Sequence, residues 1–376
     1  MSYAAVVMPR PAPSLRAKLT LAAIAALLAA GLGAVAWRFL RPTGVEVTAS
    51  GEGAAETSWR GQEAFVVDLV AGLRPRRSST IAHPMTGLDL SDPQQIEKRR
   101  DAHAFLRATE LPTPLDRPTA LFVGDSHLDG VVSTADNATT LLERDSEAAG
   151  APCYCLNAGC GLYSLWQSVL RARDLLPQWR PRAVVVVVFL GNDFLDLDDP
   201  TVPHLDDALQ ERPGDERAAK GGAAERQRAI GLQAPHEQLF WQGLNQAEWL
   251  RRDPTRHDAW LRKAGHAVAA MEAAAAAHGA RVLWTLLPSF DLVFPEHAGN
   301  LSAGAKAAIA DGGQRRLRDD FAALLAARGA TVIDVALAFA ADGALDLYAL
   351  DFHVYRKGHR LLAGALRQPL AAALAR

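Results

Sequence analysis

From Thr119 onward the chain alternates short apolar runs with longer helical stretches. Arg182 to Leu190 (RAVVVVVFL) is the clearest run: β-branched and without polar alternation, the pattern of a parallel strand covered on both faces. Thr119 to Val123 (TALFV), Ala151 to Leu156, Arg281 to Leu287 (RVLWTLL) and Thr331 to Val335 (TVIDV) predict four more strands. Helical patterns over Ser164 to Leu176, Asp258 to His278 and Gln314 to Arg328 lie between them. Strands alternating with helices predict an α/β domain with a five-stranded parallel sheet and helices on both faces, over residues 119–376.

Two stretches depart from that rhythm. Between Phe194 and about Thr255 lies an insertion, acidic first (Asp196, Asp198, Asp199, Asp206, Asp207), then polar, then aromatic at Phe240, Trp241 and Trp249. Such an excursion after a central strand is longer than an ordinary connection and suits a lid or substrate wall. Its aspartates lack the spacing of a calcium loop and predict a solvated acidic face. Residues 38–118 form a linker and N-terminal extension: Thr43 to Thr57 lacks periodicity, Glu63 to Leu73 suits a short helix or strand, and Asp92 to Thr109 predicts a helix capped by Ser91 or Asp92 with Pro93 in its first turn.

The amino terminus reads differently again. Leu19 to Trp37 runs without a charge, with Arg10, Arg16 and Lys18 before it and Arg38 and Arg41 after it. About 20 apolar residues cross a bilayer as a helix. Two readings stand: an uncleaved signal-anchor over residues 19–37 behind a cytoplasmic basic segment 1–18, which the length and the basic flanks favour, or a secretory signal cut after Ala34-Val35-Ala36. Either places the remaining chain outside the cytoplasm, tethered to the cell membrane by a single span or secreted.

Composition narrows the partners. A net charge of −2 over 376 residues gives no electrostatic case for nucleic acid. Cys153, Cys155 and Cys160 are an odd set without a second ligand pair, so neither a disulfide framework nor a zinc site is expected, although one bridge to Cys160 is compatible with an oxidising compartment.

Four blocks sit at the strand exits: Gly124-Asp125-Ser126-His127, Asn157-Ala158-Gly159-Cys160-Gly161, Gly191-Asn192-Asp193 and Asp351-Phe352-His353. In an open parallel sheet the strands' carboxyl ends face the binding crevice. Ser126 is the candidate nucleophile and needs a base. His353 is that candidate, with Asp351 placed to fix its tautomer; His127 is a second-rank base and His359 is structural. An oxyanion needs preorganised donors, for which the Asn192 side chain and the Gly161 and Ser126 backbone N–H groups are candidates. The exit of Arg281 to Leu287 brings Pro288-Ser289 toward the pocket wall.

These blocks resemble the SGNH, or GDSL-type, hydrolase superfamily: Ser126 matches the first block, Gly161 the second, Asn192 the third, and Asp351 with His353 the last. The segment HVYRKGHRLLAGAL, with Gly358, is similar to the one that follows the family's histidine. There are three departures. Gly191-Asn192-Asp193 is one residue short of the family's Gly-x-Asn-Asp. The second-block glycine is displaced, leaving Gly159 and Gly161 as alternatives. The carboxylate stands two residues before the histidine, as in Asp-x-His variants of polysaccharide O-acetylation proteins.

The resemblance implies a flavodoxin-like three-layer α/β/α sandwich and acyl chemistry without a cofactor or metal. The expected activity is a membrane-tethered, extracytoplasmic serine esterase acting on an ester-bearing small molecule, lipid or glycan. The alternatives are an O-acyltransferase on a cell-surface polysaccharide and a non-catalytic glycan-binding module on the same fold.

Overall fold

A computed structural model describes residues 93–214 (162 excepted), 239–349 and 352–375, together with strand backbone at 47–49, 55–59, 63–68, 72–75 and 80–86. The apolar run 19–37 lies outside the described residues; among those described, no helix is long and apolar enough to cross a membrane.

The strands ahead of the main sheet are antiparallel. β1 (Val47–Ala49), β2 (Ala55–Trp59), β3 (Glu63–Asp68) and β4 (Gly72–Pro75) pair in sequence order, and β5 (Thr80–Thr86) pairs with β6 (Pro93–Arg99). Two expectations are corrected here. Thr43 to Thr57 contains strand, not only linker, and the helix expected from Asp92 is replaced by β6. The burial of β6 explains the second miss. Ile96, Lys98 and Arg100 are buried while Glu97 and Arg99 are exposed, a period of two whose inward face is mostly charged and so reads as polar.

The main sheet is built from β7 (Thr119–Val123), β8 (Tyr154–Asn157), β9 (Ala183–Phe189), then β12 (Arg281–Leu287) and β13 (Thr331–Asp334), after a short hairpin of β10 (His204–Leu205) and β11 (Glu211–Arg212). The order across the sheet is β13-β12-β9-β7-β8 and every pairing is parallel. This is the flavodoxin-like order, with the switch point between β7 and β9.

The helices are α1 (Ser126–Asp129), α2 (Ala138–Ala148), α3 (Leu165–Trp179), α4 (Trp241–Arg252), α5 (Thr255–Ala277), α6 (Phe290–Val293), α7 (Ala303–Asp311), α8 (Gly313–Ala327), α9 (Ala336–Asp342) and α10 (Arg356–Leu374). The valine run of β9 divides between two cores. Val184, Val186 and Val188 pack with Val169 of α3, Met271 of α5 and Phe321 of α8. Val185, Val187 and Phe189 pack with Leu142 of α2 and Leu362 and Leu366 of α10. Every residue of β9 is at most 1% exposed, so both faces need apolar side chains, each contributing about 1.5–3 kcal/mol on full burial.

The extension is tied to the sheet domain beneath the first strand exit. Asp129, at the end of α1, is buried and accepts from Lys98 Nζ at 2.6 Å and from Arg100. Burial alone pushes the Asp129 carboxyl up, but the two cations outweigh it and hold it below the usual carboxylate range. Removing one partner of such a buried cluster leaves uncompensated charge. Asp129→Ala should therefore cost about 3–5 kcal/mol of unfolding free energy, measured by urea denaturation. A loss below about 1 kcal/mol, the range of an exposed pair, would contradict this clamp.

Candidate active site

Ser126 opens α1 directly after β7. Asp125 caps the turn, its Oδ1 accepting from the His127 N–H at 2.8 Å. Gly124 has no alternative there, since a Cβ would stand 2.8 Å from the Val187 carbonyl oxygen of β9. The turn therefore lies close against β9, and Ser126 is left half-buried at the switch point.

His353 arrives from the far edge of the sheet. After β13 and α9 the chain returns through a tight turn in which Ala349 N–H donates to the His353 carbonyl at 2.8 Å and Tyr355 N–H to that of Leu347 at 2.8 Å. Gly358, in the first turn of α10, lets this turn seat, because a Cβ would stand 2.5 Å from Val354 Cγ1 and 2.7 Å from the Leu347 carbonyl oxygen. The result is a contact of 2.9 Å between His353 Nε2 and Ser126 Oγ, across 227 residues of sequence. His353 is half-buried. Asp351 lies outside the described residues.

The remaining candidates stand past β8 and β9. A Cβ built on Gly161 would stand 3.9 Å from Ser126 Cβ, so this glycine borders Ser126. Gly159 does not compete with it: its N–H donates to Asn157 Oδ1 at 2.9 Å, and its Cα packs against α1. Asn192 is half-buried just past β9 and donates from Nδ2 to Asp196 at 2.5 Å, which occupies one of the two N–H groups of its amide.

His127 is not a base for Ser126. Its ring is buried, stacked on Phe189 with centroids 3.4 Å apart, and its nitrogens meet Gln242 Oε1 at 2.8 Å and the Val354 N–H at 3.3 Å. Burial, reinforced by nearby His353, holds it well below the usual histidine range, and it stays neutral. His359 is structural, as expected: fully buried, accepting from the Ala138 N–H at 3.3 Å, and pushed down to about 3 by burial.

Behind the turn, Asp125 is pushed up to about 7 by burial, against the His127 N–H bond. Asp193 is raised by burial and by the neighbouring charge of Asp125, while its Oδ2 accepts from the Phe189 N–H at 2.9 Å.

Other expectations are corrected. Ser289 does not line the site; it is buried and accepts from Gln314 Nε2 at 2.8 Å. Asp198 is no solvated residue of an acidic face, for it accepts from Lys263 Nζ at 2.6 Å, Trp260 Nε1 at 2.6 Å and Arg256 at 3.0 Å, pinning the insertion to α5. The cysteines are free and buried, with no bridge to Cys160. Among the described residues no acidic, histidine and cysteine groups cluster in a way that would hold a metal. A cavity of about 500 Å³ opens at the other end of the strands, beside Arg281 and Thr331, away from Ser126.

No family model matches the chain, and no curated protein matches it. Solved structures do. TesA is 17% identical with a TM-score of 0.40, over 68% of this chain and 99% of that one. The psychrotrophic esterase EstA from Pseudoalteromonas sp. is 13% identical with a TM-score of 0.35, over 69% and 99%. A GDSL-like lipase from Bacteroides thetaiotaomicron is 12% identical with a TM-score of 0.35, over 70% and 93%.

A buried carboxyl beyond β12 supplies a titration that can be measured. Asp291, just past β12, is pushed up to about 6 by burial, against a hydrogen bond with Ser289. A raised folded value means that the carboxyl stabilises the fold below about pH 4, and that this stabilisation is lost as pH rises through 6. Asp291→Asn should thus gain stability relative to wild type between pH 4 and pH 8, by up to about 3 kcal/mol at about 1.4 kcal/mol per pKa unit. Urea midpoints for both proteins across that range check it; a difference that does not change with pH would contradict the burial assigned to Asp291.

Proposed function

We propose that this protein is a serine ester hydrolase of the SGNH type, acting through an acyl-serine intermediate. The observation that carries this reading is the 2.9 Å contact between Ser126 Oγ and His353 Nε2 at the switch point of the sheet. A serine hydroxyl is a weak nucleophile until a base takes its proton, and an imidazole at that distance is such a base.

In this reading Ser126 Oγ attacks the ester carbonyl carbon while its proton passes to His353 Nε2. The carbonyl oxygen becomes an oxyanion, met by the N–H groups of Ser126 and Gly161 and by the second N–H of the Asn192 amide. The alkoxide leaves with the proton returned by His353, and the acyl group stays on Ser126. Water then attacks the acyl-serine, His353 takes a proton from it, and collapse releases the acid and restores Ser126. Asp351, two residues before His353, is assigned to orient the imidazole and to stabilise the imidazolium. No cofactor enters any step.

The uncharged run 19–37 with its basic flanks supports a membrane-tethered, extracytoplasmic enzyme, whose substrate is an ester-bearing small molecule, lipid or glycan.

Steady-state hydrolysis of an aryl acetate tests the assignment. Ser126→Ala and His353→Ala should each abolish most turnover while circular dichroism and thermal midpoint stay near wild type. Asn192→Ala should lower kcat about 10²–10³-fold, the cost of one oxyanion donor. Turnover by Ser126→Ala at the wild-type rate would end the proposal, and an undiminished kcat for Asn192→Ala would remove that residue from the oxyanion hole.

A further inference from the structure

We propose that helix α4 of the insertion holds His353 in line with Ser126, gripping the residues on either side of the histidine through Trp241 and through Gln242 with His127. The inference rests on the reading of Ser126 as nucleophile and His353 as base.

The residue before the histidine is the first grip. Phe352 has φ +70°, in the left-handed region, where a bulky side chain is a strained outlier. Such a conformation persists only where its surroundings impose it. The Phe352 ring stacks on Trp241, with centroids 5.2 Å apart and planes at 29°, and its centroid lies 4.7 Å from that of the His353 ring. Trp241 is the first residue of α4.

The residue after the histidine is the second grip. Val354 N–H donates to His127 Nδ1 at 3.3 Å. A neutral imidazole that accepts at Nδ1 carries its proton on Nε2, so His127 Nε2–H donates to Gln242 Oε1 at 2.8 Å. The ring between these bonds is clamped flat on Phe189, the last residue of β9. His127 also follows Ser126 directly, so one imidazole fastens the nucleophile's turn, the base's turn and the insertion together. It is a positioning residue, with both ring nitrogens engaged away from Ser126.

The helix that makes both grips is itself fixed to the rim of the sheet. Gln246 donates to the Leu190 carbonyl at 2.8 Å and accepts from the Leu195 N–H at 3.1 Å. Gly243 brings its backbone so near Asp291 that a Cβ would collide with the carboxylate. Displacement of a reacting group by about 1 Å costs on the order of 10²-fold in rate, so a base carried on a long returning turn gains from being held on both sides.

The test uses the full chain. It compares the second-order rate of Ser126 phosphonylation by a fluorophosphonate with kcat and KM for an aryl acetate, in wild type and two pairs of variants. His127→Gln keeps a donor for Gln242 but offers Val354 no acceptor at the Nδ1 position; His127→Asn offers that acceptor. Trp241→Ala removes the stack on Phe352; Trp241→Phe keeps an aromatic face.

We expect His127→Gln and Trp241→Ala to lose about 10–10²-fold in labelling rate and in kcat, with KM nearly constant. His127→Asn and Trp241→Phe should recover most of each loss. Should His127→Gln fail to fold, the tryptophan pair carries the same comparison. Wild-type rates in both severe variants, losses confined to KM, or equal losses within each pair would overturn the inference while leaving the hydrolase reading in place. A folded wild type that is never labelled at Ser126 would end both.

Discussion

Two strands that leave the sheet side by side while their connections run to opposite faces, β7 and β9, set where chemistry can occur in this molecule. The order β13-β12-β9-β7-β8 places the switch point of the sheet between them. Ser126 stands on one side of it and Asn192 on the other, directly after β7 and β9. Gly161 enters from the exit of β8, and His353 is the only member of the group that must travel, returning from the far edge of the sheet. The valine-rich strand at the centre keeps the switch point in place, because its side chains are committed to the cores on both faces.

Holding that switch point requires buried polar groups, which are costly unless partnered. The extension contributes Lys98 and Arg100 to Asp129 at the foot of the turn that bears Ser126. The insertion contributes Gln242 to His127 and Gln246 to the loop after β9. Asp125 and Asp193 are enclosed behind the turn with carboxyls raised by burial. Segments outside the five-stranded core thus complete the site: one supports the turn that bears Ser126 and the other flanks the turn that bears His353.

Much of this was legible in the sequence, for reasons that also explain what was not. β7 and β12 fall on the residues that their apolar runs predict, since a strand covered on both faces has nothing polar to blur its ends. The blocks at the strand exits were legible because glycine is demanded wherever backbone approaches backbone, as at Gly124 beside Val187 and Gly358 beside Leu347. β6 was misread because its inward face carries Lys98 and Arg100, whose partner lies 31 and 29 residues away. His127 looked like a reserve base because it adjoins Ser126, yet adjacent residues on a helix do not share a face, and its ring meets a glutamine 115 residues later. No local signal ties Trp241 to Phe352; only the fold brings an insertion helix and a returning turn together.

The crystal structure of the protein phosphonylated by a small fluorophosphonate tests the central claim most directly. The account predicts the phosphorus on Ser126 Oγ, the phosphoryl oxygen within hydrogen-bond distance of the Ser126 and Gly161 N–H groups and of the Asn192 amide, and His353 Nε2 beside the Ser126 oxygen. An adduct on any other residue, or a phosphoryl oxygen pointing into solvent with Gly161 and Asn192 remote from it, would contradict it.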